Sequence, residues 1–250
     1  MKPLSLLAIM ALAYPAAVHA EQVQGLVLPF KEVSVSSPVL QDVVKDIAVD
    51  EGDTVKKDQV LAHLLNDRET LDAQRYENLI KRAQFQYNGM KKLADEKYAS
   101  QDDLLAKETD LKAAQLDYQV ALTALEEKTI KSPLSGIVVK RYKEPGESVD
   151  RTEKLFDIVD IDRVYVQVYV EPAILEKLAA GDKISVHIPD IFHGPQDFTG
   201  SVSFIAPNVD AASGLFRVKI LIDNPNHLIK AGMRAQADFN KPPTGAASAS

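Results

Sequence analysis

The chain of 250 residues contains no cysteine. That absence excludes disulfides, thiol chemistry and lipidation at a mature N-terminal cysteine. Positive charge is also in short supply, with 29 Lys and Arg against 36 Asp and Glu and a formal charge of −7. An acidic chain without a basic stripe is poorly suited to nucleic acid or to anionic lipid headgroups. There is no phosphate-cradling glycine loop and no nucleophile elbow, and the acids fall on helix faces and turns where solvation is expected. Pairs such as Asp102-Asp103 and Glu126-Glu127 suit caps and helix surfaces better than acid–base catalysis. The expectation is therefore a protein that is not an enzyme, with no catalytic residue and no cofactor. Long hydrophobic runs are missing too. Leu4 to Ala13 is too short to cross a bilayer, which takes about 20 apolar residues. With Lys2 before it and Val18-His19-Ala20 after it, residues 1–20 read as an export signal. The mature chain is expected to begin near Glu21 with no transmembrane anchor, so that any membrane attachment comes through a protein partner.

What the chain does contain is one pattern written twice. Pro38-Val39-Leu40-Gln41-Asp42-Val43-Val44, Asp50-Glu51-Gly52-Asp53-Thr54-Val55 and Val60-Leu61-Ala62-His63-Leu64 form the first copy. Pro133-Leu134-Ser135-Gly136-Ile137-Val138, Glu144-Pro145-Gly146-Glu147-Ser148-Val149 and Lys154-Leu155-Phe156-Asp157-Ile158 form the second. Gly52 and Gly146 lie 94 positions apart, and at the same offset Val55 matches Val149, Leu61 matches Leu155 and Leu64 matches Ile158. The first copy is one residue longer at Leu40-Gln41-Asp42, where the second has Ser135-Gly136. Each copy alone exposes one apolar face, so each needs a mate, and the other copy supplies it. The predicted product is a split, flattened β-sandwich of the lipoyl-like kind, built from residues 28–66 and 129–160.

The sandwich closes only if the intervening segment returns to its start. Residues 67–128 carry helical periodicity, with Tyr76, Leu79, Ala83, Gln86, Met90, Leu93 and Lys97 as the expected seam of one arm. Leu104, Glu108, Leu111, Gln115, Tyr118, Leu122 and Leu125 form that of the other. This predicts an antiparallel coiled-coil hairpin extending roughly 40 to 45 Å at 1.5 Å per residue. Its turn is expected at Lys97-Tyr98-Ala99-Ser100, because Ser100-Gln101-Asp102-Asp103 has the form of a helix N-cap followed by first-turn acids.

From residue 161 the pattern changes to longer strands. Val164, Val166, Val168 and Val170 alternate with Tyr165, Gln167 and Tyr169, and Ile184, Val186 and Ile188 repeat the alternation. Glu171-Pro172 to Ala180-Gly181 reads as a short helix. Strands are expected over 198–206, 215–222 and 233–239, so residues 161–240 should form a small β-barrel. The Pro, Gly, Ala and Ser tail over 241–250 reads as disordered. The fold class is mainly β with a long α-helical hairpin.

This order of modules resembles the periplasmic adaptor subunits, or membrane fusion proteins of the HlyD-like family, of tripartite efflux pumps. The resemblance rests on Gly52-Asp53-Thr54-Val55, on Thr129-Ile130-Lys131-Ser132-Pro133-Leu134-Ser135-Gly136-Ile137-Val138, and on Val168-Tyr169-Val170-Glu171-Pro172. Gly200-Ser201-Val202 and Asn224-Pro225, followed by Leu228 to Met233, add to it. It implies a periplasmic protein of a Gram-negative bacterium that links an inner-membrane transporter, RND-type most of all, to an outer-membrane channel for efflux of drugs or other small solutes. It also implies self-association into a ring, commonly a hexamer, and a short member with little or no membrane-proximal domain. In that family the hairpin tip meets the channel through an Arg, a Leu four residues on and a Ser seven beyond that. Leu93 and Ser100 match this spacing and Lys97 lies between them, while the Arg position holds Gly89, with Lys91 and Lys92 nearby.

Two other chemistries compete. A lipoyl or biotinyl carrier presents its modified lysine on a tight turn between the halves, and neither that turn nor a D-K-A or M-K-M motif is present. A metal-efflux adaptor or chaperone would bind the exported cation. His63, His187, His193 and His227, like Met90 and Met233, are scattered without the close spacing of a metal site, so no metal ligand is assigned.

Overall fold

The computed structural model describes residues 22–239. The expected export signal over 1–20 and the tail over 241–250 lie outside the described residues. In chain order the elements are β1 (Gln22–Ser36), β2 (Asp42–Ile47), β3 (Thr54–Val55), β4 (Val60–Leu64), α1 (Asp67–Asp95), α2 (Gln101–Glu126), β5 (Thr129–Lys131), β6 (Gly136–Arg141), β7 (Ser148–Val149) and β8 (Lys154–Val170). They continue as α3 (Pro172–Leu175), β9 (Lys183–His187), β10 (Asp197–Val209), β11 (Phe216–Asp223) and β12 (Arg234–Asp238). Two compact units result, one of residues 29–163 with 225–227, the other of residues 22–28, 164–224 and 228–239.

The first unit is built on the internal repeat. Short strands can make only a few ladder bonds each, and here every half borrows from the other. The Gly52 N–H donates to the Val138 carbonyl and the Gly146 N–H to the Val44 carbonyl, each at 2.8 Å. Val44 N–H donates to Glu147 and Val138 N–H to Asp53, each at 2.9 Å. The strands follow suit: β3 pairs with β6 and β2 with β7, so that Val55 lies opposite Gly136 and Val149 opposite Asp42. One sheet runs β5-β4-β2-β7, and β3, β6 and the start of β8 form the facing layer. Leu61, Leu64, Leu155 and Ile158 meet in one buried cluster with Val44, Val55, Val138 and Val149. The extra residue of the first copy is absorbed at Gln41, whose φ of 48° lifts the chain into the left-handed region just before β2. In the second copy the matching strand begins at Gly136, the counterpart of Asp42, where an added Cβ would lie 2.3 Å from the Val159 carbonyl. No side chain fits there.

The second unit is a closed barrel. From β1 the order runs β12-β9-β10-β11-β8, and β8 pairs back onto β1. Gly25 permits that closure, since a Cβ on it would come within 2.6 Å of the Gln167 carbonyl. Val164, Val166, Val168 and Val170 of β8 point inward at no more than 1% exposure. Val186, Ile220 and Ala237 complete the interior. The strand at residues 22–28 carries no long apolar run and was not expected. The helix expected over 171–181 spans only Pro172–Leu175, because the Asp182 carboxylate accepts from Ala179 N–H and draws residues 179–182 into a turn.

Leu61→Ala or Leu155→Ala should lower unfolding free energy by about 2 to 5 kcal/mol, and Gly136→Ala should destabilise as well, since backbone must move. Gly89→Ala should act in the opposite sense. Nothing lies within 4 Å of a Cβ built on Gly89, so the change should add up to about 1 kcal/mol of helix propensity. Urea unfolding of the purified variants measures all four.

Candidate partner-binding site

Helices α1 and α2 lie along one another and are joined by residues 96–100. The seam between them differs in phase from the expected one. On α1 the covered positions are Ala73, Tyr76, Ile80, Ala83, Tyr87, Met90 and Ala94; on α2 they are Leu104, Lys107, Leu111, Ala114, Tyr118, Ala121 and Leu125. Tyr76, Ala83, Met90, Leu104, Leu111, Tyr118 and Leu125 occupy the seam as expected. Leu79, Gln86, Leu93, Lys97, Glu108 and Gln115 are instead exposed, and Leu122, half-covered, adjoins the buried Ala121. Both phases satisfy a three–four spacing through the shared residues. The chain takes the one that puts small alanines in the contact, and helices approach as closely as the side chains between them allow.

Displacing the seam by one residue turns several large apolar side chains outward. Leu71, Leu79, Phe85 and Leu93 fall on one outer stripe of α1, and Leu105, Leu116 and Val120 on one of α2. Phe85 is 80% exposed. Gly89 stands one helical turn from both Phe85 and Leu93 on the same stripe.

The three residues expected to bind a partner lie at the end of α1 and in the turn that follows it. The Tyr98 N–H donates to the Leu93 carbonyl at 2.8 Å and the Lys97 N–H to Ala94 at 3.0 Å. This is the Schellman arrangement, which needs a left-handed residue at the position Lys97 occupies with φ 63°. Ser100 caps α2: its Oγ accepts from the Asp103 N–H at 3.1 Å, and the Asp103 carboxylate accepts from the Ser100 N–H. Leu93 is 46% exposed, free of the seam that its spacing suggests. The sequence reading missed Tyr98, which is 80% exposed in the same turn. An aromatic inside a Lys-x-Ala-Ser turn, with no apolar periodicity to place it in a core, was the available signal.

Where the helices leave the sandwich, a charged cluster joins the β5-β4-β2-β7 sheet to α1. Lys128 Nζ lies 2.6 Å from Asp42 Oδ2 and 3.2 Å from Glu69 Oε1, with side-chain exposures of 14%, 8% and 21% for Lys128, Asp42 and Glu69. Burial works against the Lys128 ammonium, but hydrogen bonds to Asp42 and Glu69 outweigh it and hold the pKa above the usual 10.5. The stabilisation it brings is fully present below that value and is lost only as pH rises through the higher folded pKa.

The histidines do not converge. His63 pairs with Asp46 at 2.8 Å, His187 with Asp197 at 2.9 Å and His227 with Asp162 at 2.8 Å. His193 sits on the loop that also carries Phe192, 89% exposed. Among the described residues no three His, Cys, Asp or Glu side chains are grouped to hold a metal ion. Among them too, no helix is long and apolar enough to cross a membrane.

Against known proteins, residues 32–160 match the CzcB-like barrel-sandwich hybrid domain and residues 163–243 the CusB-like β-barrel domain. The chain is 26% identical over 219 residues to the cation efflux system protein CzcB of Alcaligenes sp. strain CT14, covering 80% of this chain and 41% of that protein. The same identity and coverage hold for the cobalt-zinc-cadmium resistance protein CzcB of Cupriavidus metallidurans. The chain thus spans about two fifths of the length of these relatives. Among solved structures, a MacA–MexA chimera carrying the Pseudomonas aeruginosa MexA α-hairpin domain superposes with a TM-score of 0.77 at 18% identity, over 86% of this chain and 76% of the chimera. That likeness establishes the fold. The chain belongs to the CzcB-like membrane fusion proteins, the RND-type periplasmic adaptor family, whose members are not enzymes.

Two substitutions test the turn. Lys97→Gly should raise stability by about 1 kcal/mol by removing left-handed strain, and Ser100→Ala should lower it by about 1 kcal/mol through loss of the cap. Thermal denaturation followed by circular dichroism reads both.

Proposed function

We propose that this chain is the adaptor of a tripartite efflux system, joining an RND-type inner-membrane transporter to an outer-membrane channel in the periplasm and serving the export of divalent transition-metal cations. The observation that carries the proposal is the order of two family domains, a barrel-sandwich hybrid over 32–160 followed by a β-barrel over 163–243. On sequence alone, drugs or other small solutes come first as cargo. The relatives named for cation efflux and for cobalt, zinc and cadmium resistance move the proposal to metals.

In this reading the chain divides as a split sandwich (28–66 with 129–160), a coiled hairpin (67–128) and a barrel (161–240). The sandwich and barrel engage the transporter, and Leu93, Lys97, Ser100 and Tyr98 at the hairpin turn meet the channel. The outer stripes of α1 and α2 suit side-by-side packing of copies into a ring, with six as the expected number. The work is geometric: energy and cargo choice belong to the transporter, which is why scattered histidines suffice.

Deleting the gene should raise sensitivity to cobalt, zinc or cadmium as much as deleting the transporter, with little effect on dyes or detergents. Normal metal resistance in a strain lacking any other adaptor would refute the proposal, and sensitivity confined to organic compounds would return the cargo to drugs. Leu93→Asp and Ser100→Arg should abolish resistance while the protein accumulates normally. Full resistance in both would remove the turn as the channel contact.

A further inference from the structure

We infer that Asp42, Glu69 and Lys128 are positioning residues, a charged clamp that fixes the direction in which α1 and α2 leave the sandwich. The inference depends on the adaptor reading for its purpose but not for its geometry.

The helices join the sandwich through two chain crossings, one at Leu65-Asn66 and one at Glu127-Lys128. Backbone bonds at the crossings, Leu64 N–H to the Lys128 carbonyl and Leu65 N–H to Val43, tie strand ends without reaching the helix bodies. The clamp does reach α1. Asp42 belongs to β2, Glu69 to the first turn of α1, and Lys128 lies just past the end of α2, so one ammonium at the foot of α2 ties the sandwich to α1. Asp42 is fixed in turn, because its Oδ1 accepts from the Val43 N–H at 2.7 Å. A second link lies on the same strand: Lys45 Nζ donates to Asn66 Oδ1 at 3.1 Å and to Asp67 Oδ1 at 3.3 Å.

The internal repeat provides a control for whether these charges serve the sandwich itself. At the 94-residue offset, Asp42 corresponds to Gly136 and Lys45 to Val139. The second half makes the same strands, the same reciprocal backbone bonds and the same core without either charge. Both charges occur only in the half that runs on into α1. Asp42 has room there because β4 ends at Leu64 and the chain turns away into α1, whereas β8 continues past the equivalent point and Val159 crowds Gly136. Nor does burial of the cluster make it a folding device. A buried ion pair or triad contributes little net stability relative to neutral groups of the same size, while directional hydrogen bonds favour one arrangement.

The absence of native cysteine allows two spin labels on the full-length protein, at Lys57→Cys on a sandwich turn and Arg82→Cys on the outer side of α1. Pulsed electron resonance should give one narrow distance distribution for the parent protein. In the triple variant Asp42→Asn, Glu69→Gln, Lys128→Met it should broaden at least twofold while the melting temperature stays within about 5 °C, and Lys128→Arg should keep it narrow. If the triple variant fails to fold, Glu69→Gln alone, which frees only the α1 arm, should still broaden it. An unchanged width in whichever variant folds overturns the clamp, whatever the protein transports. Loss of metal resistance in the broadened variants, with Lys128→Arg retaining it, supports the clamp in the cell. Broadened variants with full resistance would leave the clamp standing and count against the adaptor reading's need for an aimed hairpin.

Discussion

Neither half of the sandwich can complete its own hydrogen bonding. Strands of two to six residues leave most of their N–H and carbonyl groups unpaired, and unpaired groups facing a buried core are costly. The reciprocal bonds between Val44 and Gly146 and between Val138 and Gly52 resolve this. They cross the whole insertion, so the fold exists only when residues separated by about a third of the chain meet. Every other feature of the first unit follows: the shared core of Leu61, Leu64, Leu155 and Ile158, the proximity of residues 64 and 128, and the return of the helices to their origin.

The legible parts of the fold were those written in local patterns. Apolar alternation and Gly, Pro and Asp turns repeat in register, so a constant offset is enough to match residues such as Val55 and Val149. The N-cap at Ser100 was equally plain, because capping needs only four consecutive residues. The seam of α1 and α2 was half legible. Leucine marks a contact more visibly than alanine, so Leu79 and Leu93 attracted the assignment, while the packing chose Ile80 and Ala94. Which phase wins depends on how closely two helices can approach, and a one-dimensional pattern does not contain that distance.

The root cluster was not legible at all. Asp42, Glu69 and Lys128 are ordinary surface residues by type, separated by up to 86 positions, and nothing local distinguishes them from the solvated charges around them. Only the three-dimensional crossing gives them a common place, and only comparison with Gly136 shows Asp42 to be an addition to the repeat. The first strand of the barrel escaped notice for a related reason. Gln22 to Leu28 has only Val23 and the three-residue run Leu26-Val27-Leu28 as apolar signal, broken by Gly25, and its membership depends on pairing with β12 and β8.

The 2.8 Å bond from the Leu64 N–H to the Lys128 carbonyl has a bearing on how such proteins can diversify. Because the sandwich itself holds those two residues side by side, the entropic cost of closing the intervening loop is met once, and it grows only logarithmically with loop length. The segment between them behaves as a cassette. Adding seven residues to each helix would restore the seam in phase and lengthen the pair by about 10 Å, leaving the base unaltered. The length of the helix pair is then a heritable variable that insertions in whole heptads can tune without rebuilding the sandwich.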